Sequence, residues 1–453
     1  MTNLFRLKTT ECRVGVVGQY NAGKTVFLTS LVNHLQDHDP DRFALGGRGT
    51  AVRKFERLPA DPGWAEFNAA AYRDALVHRG VWPEKTADRL MYACRFERSD
   101  WSLSDVLLKL YDLPGERIAD AAMLGRSYAE WSDRILDHVR DDTPYRECCR
   151  PFLDAIGKGD PTEDELVRGY KLALANLILA YKPLVTPSTF LLDKAGGKAR
   201  PGTPEQIADA RFSGIEAGSQ FAPLPAALRG TPIGASFAAR FDVYRDDVAA
   251  HFLAGLRSCH ALIVMIDVTM LLAGGVGMYD DNRQMVHDLF RVLDPGESAL
   301  GTVGRHLASW LLPVDLRPAW ITRVAFVAPK LDLVHPADRD RVLTLLRRMV
   351  GRAAADRDGL SAEFFGASAV VSARPLPGDE RMLVGVPLRG PDGRKVPPGA
   401  EHRFAPSRLP DDWPLSWEAG EYAFPEVYPQ VPRRKDAPPE QINLDRVLSF
   451  VLG

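Results

Sequence analysis

"VVGQYNAGKTVF" (residues 16–27) sets Gly18 and Gly23 five positions apart, follows the second with Lys24 and Thr25, and runs straight into an apolar stretch. Ahead of it, "RVGVVG" (13–18) is a short β-branched run ending in glycine. Behind it, "KTVFLTSLVNHL" (24–35) carries apolar residues at helical spacing. The motif therefore sits in a strand, loop, helix unit, the context a phosphate-binding loop requires. In such a loop the backbone from Gly18 through Gln19, Tyr20, Asn21, Ala22 and Gly23 curls so that successive N–H groups point at a β-phosphate. The helix N-terminus, with Val26 in its first turn, adds partial positive charge. Lys24 reaches the β- and γ-phosphates, and Thr25 ligates Mg²⁺.

Such a loop needs a second metal-side group, and "SDVLLKLYDLPGER" (104–117) supplies one at the end of another strand-like run. Asp112 holds Mg²⁺ through water and the Gly115 N–H meets the γ-phosphate. Between the two motifs, "VWPEKT" (81–86) precedes the strand-like "RLMYACRFE" (89–97), which puts Thr86 where a switch loop closes its hydroxyl on the same metal. Further on, "TRVAFVAPKLDLV" (322–334) is a buried strand running into Pro329, Lys330, Leu331 and Asp332, and "SAVVSARP" (368–375) is another ending in Ser372 and Ala373. A carboxylate at Asp332 accepts from N1–H and the exocyclic amine of guanine, whereas adenine offers nothing complementary. The Lys330 stem lies against the base and the Ala373 N–H meets the guanine oxygen. Pro329 departs from the usual Asn/Thr-Lys-x-Asp pattern, having neither a side-chain amide nor an N–H to tie this loop to the first one.

These segments, together with "VFLTSLVNHL", "WPEKT", "DLPGERIADAAMLGRSYAEWS", "IDVTMLLAGG", "PKLDLVHPADRDR", "MLVGVPLRG" and "INLDRVLSFVLG", resemble the YcjX-like family of bacterial stress-associated P-loop NTPases, essentially end to end. The resemblance implies a GTPase-type core carrying a helical insertion and a cytoplasmic, stress-linked role. It carries over Gly23, Lys24, Thr25, Asp112, Gly115, Lys330 and Asp332 as functional positions.

The expected architecture is α/β: a P-loop GTPase-type core with a mostly parallel sheet, a helical insertion and a small β insertion near the C-terminus. Residues 1–116 form the first part of the core, 117–255 the helical insertion, 256–374 the second part, 375–440 the β module, and 441–453 the last helix of the core. "PTEDELVRGYKLALANLILAY" opens the clearest inserted helix, with Thr162 and Glu165 in capping-box spacing. Over a hundred residues separate the Asp112 loop from the strand at 261–267, far more than a βαβ connection needs.

Composition bounds the rest. A charged fraction of 26%, a hydrophobic fraction of 45% and a net charge of −2 are those of a globular protein without an electrostatic footprint for nucleic acid. "RRM" (347–349) and "PRRKD" (432–436) are too short for a nucleic-acid patch. The longest apolar run, "ALIVMIDVTMLLA" (261–273), is too short to span a bilayer and contains Asp267. A cytoplasmic location follows as the expectation, and peripheral membrane contact stays open. Five cysteines without CxxC spacing read as reduced, buried thiols. His34 and His38, four apart, read as a solvated polar face at a helix C-terminus, without a metal.

The expected activity is Mg²⁺-dependent conversion of GTP to GDP and phosphate, as a slow switch acting on a protein effector that the sequence does not identify. An ATPase of the same fold, and a nucleotide-stabilised interaction protein with little turnover, are the alternatives. The rate expectation rests on Glu116, which follows Gly115 where many small GTPases carry a water-orienting glutamine. Compensating positive charge comes from Lys85, Arg117 or Arg126.

Overall fold

The computed structural model describes residues 9–18, 21–46, 50–83, 90–100, 105–113, 116–141, 143–180, 185–187, 203–209, 217–248, 254–293, 321–351, 360–390, 392–434 and 436–453. Its strands in chain order are β1 (Thr10–Gly18), β2 (Val52–Leu58), β3 (Ala65–Glu66), β4 (Leu90–Arg98), β5 (Asp105–Asp112), β6 (Ala261–Met265), β7 (Arg323–Ala328), β8 (Ser361–Gly366), β9 (Arg374–Leu376), β10 (Asp379–Gly385) and β11 (His402–Phe404).

The central sheet has the order β2-β4-β5-β1-β6-β7-β8, with β3 beside β4. From β5 through β1, β6 and β7 to β8 every pairing is parallel. β4 runs antiparallel to β5, and β2 antiparallel to β4. Burial explains the sequence of the central strands: β6, "ALIVM", is buried at every residue, and β1 is buried over its last five, as strands covered on both faces must be. β2, "VRKFERL", is a sheet edge, and its exposed charges blunt that edge against pairing.

Two helices from opposite ends of the chain complete this core. Lys24–Asp37 buries Phe27, Leu28, Leu31, Val32 and Leu35. Leu444–Leu452 buries Leu444, Val447, Leu448, Val451 and Leu452, the i, i+3, i+4, i+7 stripe of an amphipathic helix. Both stripes enter the same apolar cluster as Val14, Val16, Ile263 and Val327 of the sheet. At about 1.5–3 kcal/mol per buried aliphatic side chain, this cluster dominates the stability of the core. The fold class is thus as the sequence indicates, α/β around a mostly parallel sheet, with a small antiparallel sheet β11-β10-β9 near the C-terminus.

The described residues of Met1–Pro114, Gly255–Val276 and Pro318–Gly453 make one compact unit, and those of Gly115–Ala254 and Gly277–Arg317 a second. The sheet-bearing unit takes in the small antiparallel sheet, where Leu383 packs with Ala373 and Val427 and against Leu333 and Phe404. The described residues between 116 and 257 contain no strand. Their core is aromatic: Trp131 lies 5.2 Å from Phe241 and 5.5 Å from Phe221, ring centroid to centroid. Each polar tip there is satisfied, Trp131 Nε1 donating to Thr186 Oγ1 (3.1 Å), Tyr170 OH to Thr186 O (2.6 Å) and Tyr128 OH to Ala222 O (2.6 Å). Helix Glu163–Leu179 starts with the full capping box, Thr162 and Glu165 bonding reciprocally. The stretch from Gly277 also belongs to this helical unit, although the sequence reading leaves it with the core. The reason is a break: helix Val268–Leu293 leaves helical geometry at Gly275 (φ 83°, ψ 173°).

Candidate functional site

The parallel strands deliver their carboxyl ends to one edge of the sheet, where α/β proteins bind ligands. Register fixes which residues arrive together: Val16 of β1 pairs with Asp112 of β5, and Gly18 of β1 with Met265 of β6. Gly18 has no room for a side chain, since a Cβ would stand 2.8 Å from Met265 Cβ and 3.1 Å from Met265 O. The chain then turns through Asn21 (φ 67°) and Gly23 (φ 84°) into helix Lys24–Asp37, with buried Ala22 between them. That helix N-terminus carries no side-chain cap. A helix starting this way presents N–H donors and partial positive charge to an incoming anion.

Lys24 Nζ donates to Leu113 O at 2.6 Å and lies 3.6 Å from Asp112 Oδ1. Asp112 is 2% exposed, and the Lys24 ammonium is a cation that its carboxylate faces. Thr25 and Val26 are half-buried in the first turn. Gly18, Asn21 to Val26 and Asp112 are therefore brought together among the described residues. Gln19, Tyr20, Lys85, Thr86 and Gly115 lie outside the described residues, as do the side chains of Glu116 and Arg117, which open the short helix Glu116–Asp120. Arg126 is engaged within the helical unit: it bonds Ala122 O and pairs with buried Asp288 at 3.2 Å.

At β7 and β8 a second cluster forms. Lys330 takes a left-handed conformation (φ 62°), and its Nζ meets Asp267 Oδ2 at 2.6 Å. Asp267 is fully buried and also accepts from Thr269 Oγ1 (2.6 Å) and Met270 N (3.0 Å), opening helix Val268–Leu293. Asp332, 2% exposed, accepts from Ser368 Oγ at Oδ1 (2.6 Å). Its Oδ2 accepts from Ser372 N (2.8 Å), Ser372 Oγ (2.6 Å) and Ala373 N (3.2 Å). Lys330, Asp332, Ser372 and Ala373 thus converge, and Leu331 N bonding Ala367 O ties the two loops by backbone where Pro329 offers no donor.

A family model described as the YcjX-like family, DUF463, matches residues 12–453. The chain belongs to the YcjX-like family. A protein named Ras-like GTPase YcjX from Escherichia coli strain K12 is 26% identical to this YcjX-like chain, covering 97% of it and 95% of the relative. One of the same name from Shewanella oneidensis is 23% identical, covering 99% of this chain and 96% of that one.

Two residues of this YcjX-like chain were not legible as site or support residues. Asp267 clamps Lys330, and its signal was being the lone acid inside an apolar run. His34, expected on a solvated face, is instead 2% exposed, bonded through Nε2 to Pro439 O at 2.9 Å and stacked on Phe43. Burial pushes its pKa down to about 4, with Arg42 acting in the same direction and the Pro439 bond opposing. The segment that buries it lies some four hundred residues away, outside any local pattern. Of the cysteines, Cys12, Cys94, Cys149 and Cys259 are buried and Cys148 is half-buried, and burial pushes the Cys149 and Cys259 thiols up to about 12. No described helix is long and apolar enough to cross a membrane.

Proposed function

We propose that this protein binds GTP with Mg²⁺ and hydrolyses it slowly to GDP and phosphate, as a cytoplasmic switch in the stress-linked role that the family resemblance carries, acting on a protein effector. The observation that supports this most is Lys24, held at the carboxyl edge of the sheet between Leu113 O and Asp112, beside an uncapped helix N-terminus. In this reading the backbone from Gly18 to Val26 holds the phosphates, and Thr25, Thr86 and Asp112 hold the metal. Bound Mg²⁺ would supply charge neutralisation at the phosphates. Lys24 exchanges its carbonyl for phosphate oxygens, and the Gly115 N–H bonds the γ-phosphate.

The hydrogen bonding at Asp332 supports a role in base recognition. Oδ2 takes three donors, one more than its lone pairs serve well, while Oδ1 takes one. Guanine brings two donors for this carboxylate and one acceptor. The longest bond, Ala373 N at 3.2 Å, is the one to yield. Its release turns that N–H toward the guanine oxygen; one guanine donor then takes the open lone pair of Oδ1, and the second takes the place of a serine hydroxyl donor, which rotates away. Lys330, oriented by Asp267, lays its stem along the base. Competition of unlabelled GTP, XTP and ATP against a fluorescent guanine nucleotide, with Mg²⁺ and with EDTA, tests the reading alongside phosphate release. GTP displacing best, with EDTA weakening it, is the expected result. ATP displacing better than GTP overturns the assignment of the base.

A further inference from the structure

A cavity of about 280 Å³ in the sheet-bearing unit is lined by nine residues, among them Arg42, Arg374, Arg433, Arg434 and Glu440. Four of these nine are arginines and one is an acid. None of the four guanidinium groups is hydrogen-bonded to any group of the described residues. Their ion pairs are long: Arg374 to Glu440 at 3.6 Å, Arg434 to Asp39 at 3.6 Å and to Asp37 at 3.8 Å. Arg42 Nη1 is buried and meets no acceptor among the described residues. The exposed guanidinium groups of Arg374, Arg433 and Arg434 bond water, so the desolvation cost falls on the buried Arg42 Nη1. Four like charges around one cavity favour an anion there, and guanidinium matches phosphate oxygens in bidentate geometry.

The cavity is not the P-loop. Arg42 lies five residues beyond the far end of helix Lys24–Asp37, which puts about 20 Å of helix between it and Lys24. It is not the base loop either, although it adjoins it. Val371 lines the cavity, while its neighbour Ser372 turns to Asp332, and Gln430 Nε2 donates to Ser372 O at 3.3 Å. The size is below the range of about 300–1,000 Å³ that encloses a drug-sized ligand, and it suits a compact, multiply charged group.

We propose that this cavity is a second anion site, which binds a diphosphate group, free or esterified, between Arg42, Arg374, Arg433 and Arg434. The "PRRKD" run, too short for nucleic acid, is long enough for this: it supplies Arg433 and Arg434, while Arg42 comes from the turn after helix Lys24–Asp37 and Arg374 from the start of β9. Oxygens of the diphosphate take the unbonded guanidinium N–H groups, including the buried Arg42 Nη1, and Glu440 and the two aspartates keep the empty site from unbalanced repulsion.

The test is titration calorimetry of inorganic diphosphate, without Mg²⁺, into the full chain carrying Lys24→Ala, so that binding at the P-loop is removed and the outcome does not depend on the GTPase reading. One-to-one binding is expected, weakening with added salt. Adding Arg433→Ala and Arg434→Ala, both exposed and harmless to the core, is expected to weaken it at least tenfold, and Arg42→Ala likewise. Adenosine diphosphate, whose base Asp332 does not match, is the esterified arm, and the tighter of the two probes identifies the source. Absence of binding by both probes, or an affinity unchanged by the arginine substitutions in proteins with an unchanged melting temperature, overturns the proposal.

Discussion

At the scale of single residues, Lys24 donates to Leu113 O and lies beside Asp112, two contacts that a triphosphate bound as proposed would replace. Its stem adds little to the core, so Lys24→Ala is expected to abolish measurable GTP binding by calorimetry while moving the melting temperature by only a few degrees. Asp332 is the reverse case, because its carboxylate braces the loop from Ser368 to Ala373. Asp332→Asn places an N–H₂ against buried donors, so it is expected to cost about 1–3 kcal/mol in urea unfolding and to move preference from GTP toward XTP. Unchanged stability together with unchanged preference contradicts both roles. His34 gives a pH prediction with a fixed sign. Its folded pKa, about 4, lies below the 6.5 of the free side chain, so the unfolded chain binds the proton more readily. The stabilisation is complete above pH 6.5 and is lost as pH falls toward 4, in total on the order of 3 kcal/mol. The groups acting on it are Arg42 and Arg73, which lower the pKa, and Asp39, which raises it. Urea unfolding at pH 7.5 and 4.5 is expected to show a smaller loss for His34→Gln than for the unmodified protein; equal losses show that His34 is not the group. Legibility at this scale followed sequence distance. Gly18, Gly23, Lys24 and Thr25 are spelled out within eight positions, whereas the burial of His34 and the partner of Lys330 depend on segments brought in from elsewhere.

Among the elements, periodic ones were readable and broken ones were not. Helix Glu163–Leu179 announces itself by its capping box, and the last helix by its apolar stripe. Helix Val268–Leu293 is the instructive failure. "LLAGGVG" gives glycines but does not say which one breaks the helix, and the answer lies in residues 417–420. There Trp417 Nε1 donates to Leu272 O (2.9 Å) and Gly420 N to Ala273 O (2.8 Å), while Val276 N donates to Trp417 O (3.1 Å). These bonds satisfy the carbonyls and the N–H that the break leaves without helical partners. At Gly275 itself φ is +83°, and a Cβ would stand 2.9 Å from Ala419 N. Gly275→Ala therefore combines an unfavourable backbone conformation with a backbone clash, and is expected to lower stability by at least about 1–3 kcal/mol. Gly274→Ala, one residue earlier, is the control. Equal effects of the two in thermal melts contradict the assignment of the break to Gly275.

The whole molecule divides the proposed chemistry between its two compact units. The P-loop, Asp112 and the base loops belong to the sheet-bearing unit, but the chain enters the helical unit at Gly115, and Glu116 and Arg117 are its next residues. The sheet and its carboxyl edge were legible because a G-domain orders its motifs along the chain; the membership of the helical unit was not, since it closes around the second half of a helix whose break is invisible locally. For turnover the consequence lies at residue 116. Glutamine offers a donor and an acceptor, so it bonds the attacking water and a γ-phosphate oxygen together, whereas an ionised glutamate offers acceptors alone and is repelled by the triphosphate. Arg126 is already committed to Asp288 and Ala122 O, so of the three cations the sequence suggests, Lys85 and Arg117 are the two to test. Single-turnover hydrolysis of GTP by the isolated protein at saturating Mg²⁺ is accordingly expected at about 10⁻⁴–10⁻² s⁻¹, the range of GTPases working without an external arginine. Glu116→Gln is expected to raise the rate, and Lys85→Ala or Arg117→Ala to lower it, with GTP affinity changed little. Turnover near 1 s⁻¹ in the unmodified protein without a partner refutes the switch reading, because a protein that empties its own site at that speed has no need of an effector to do so.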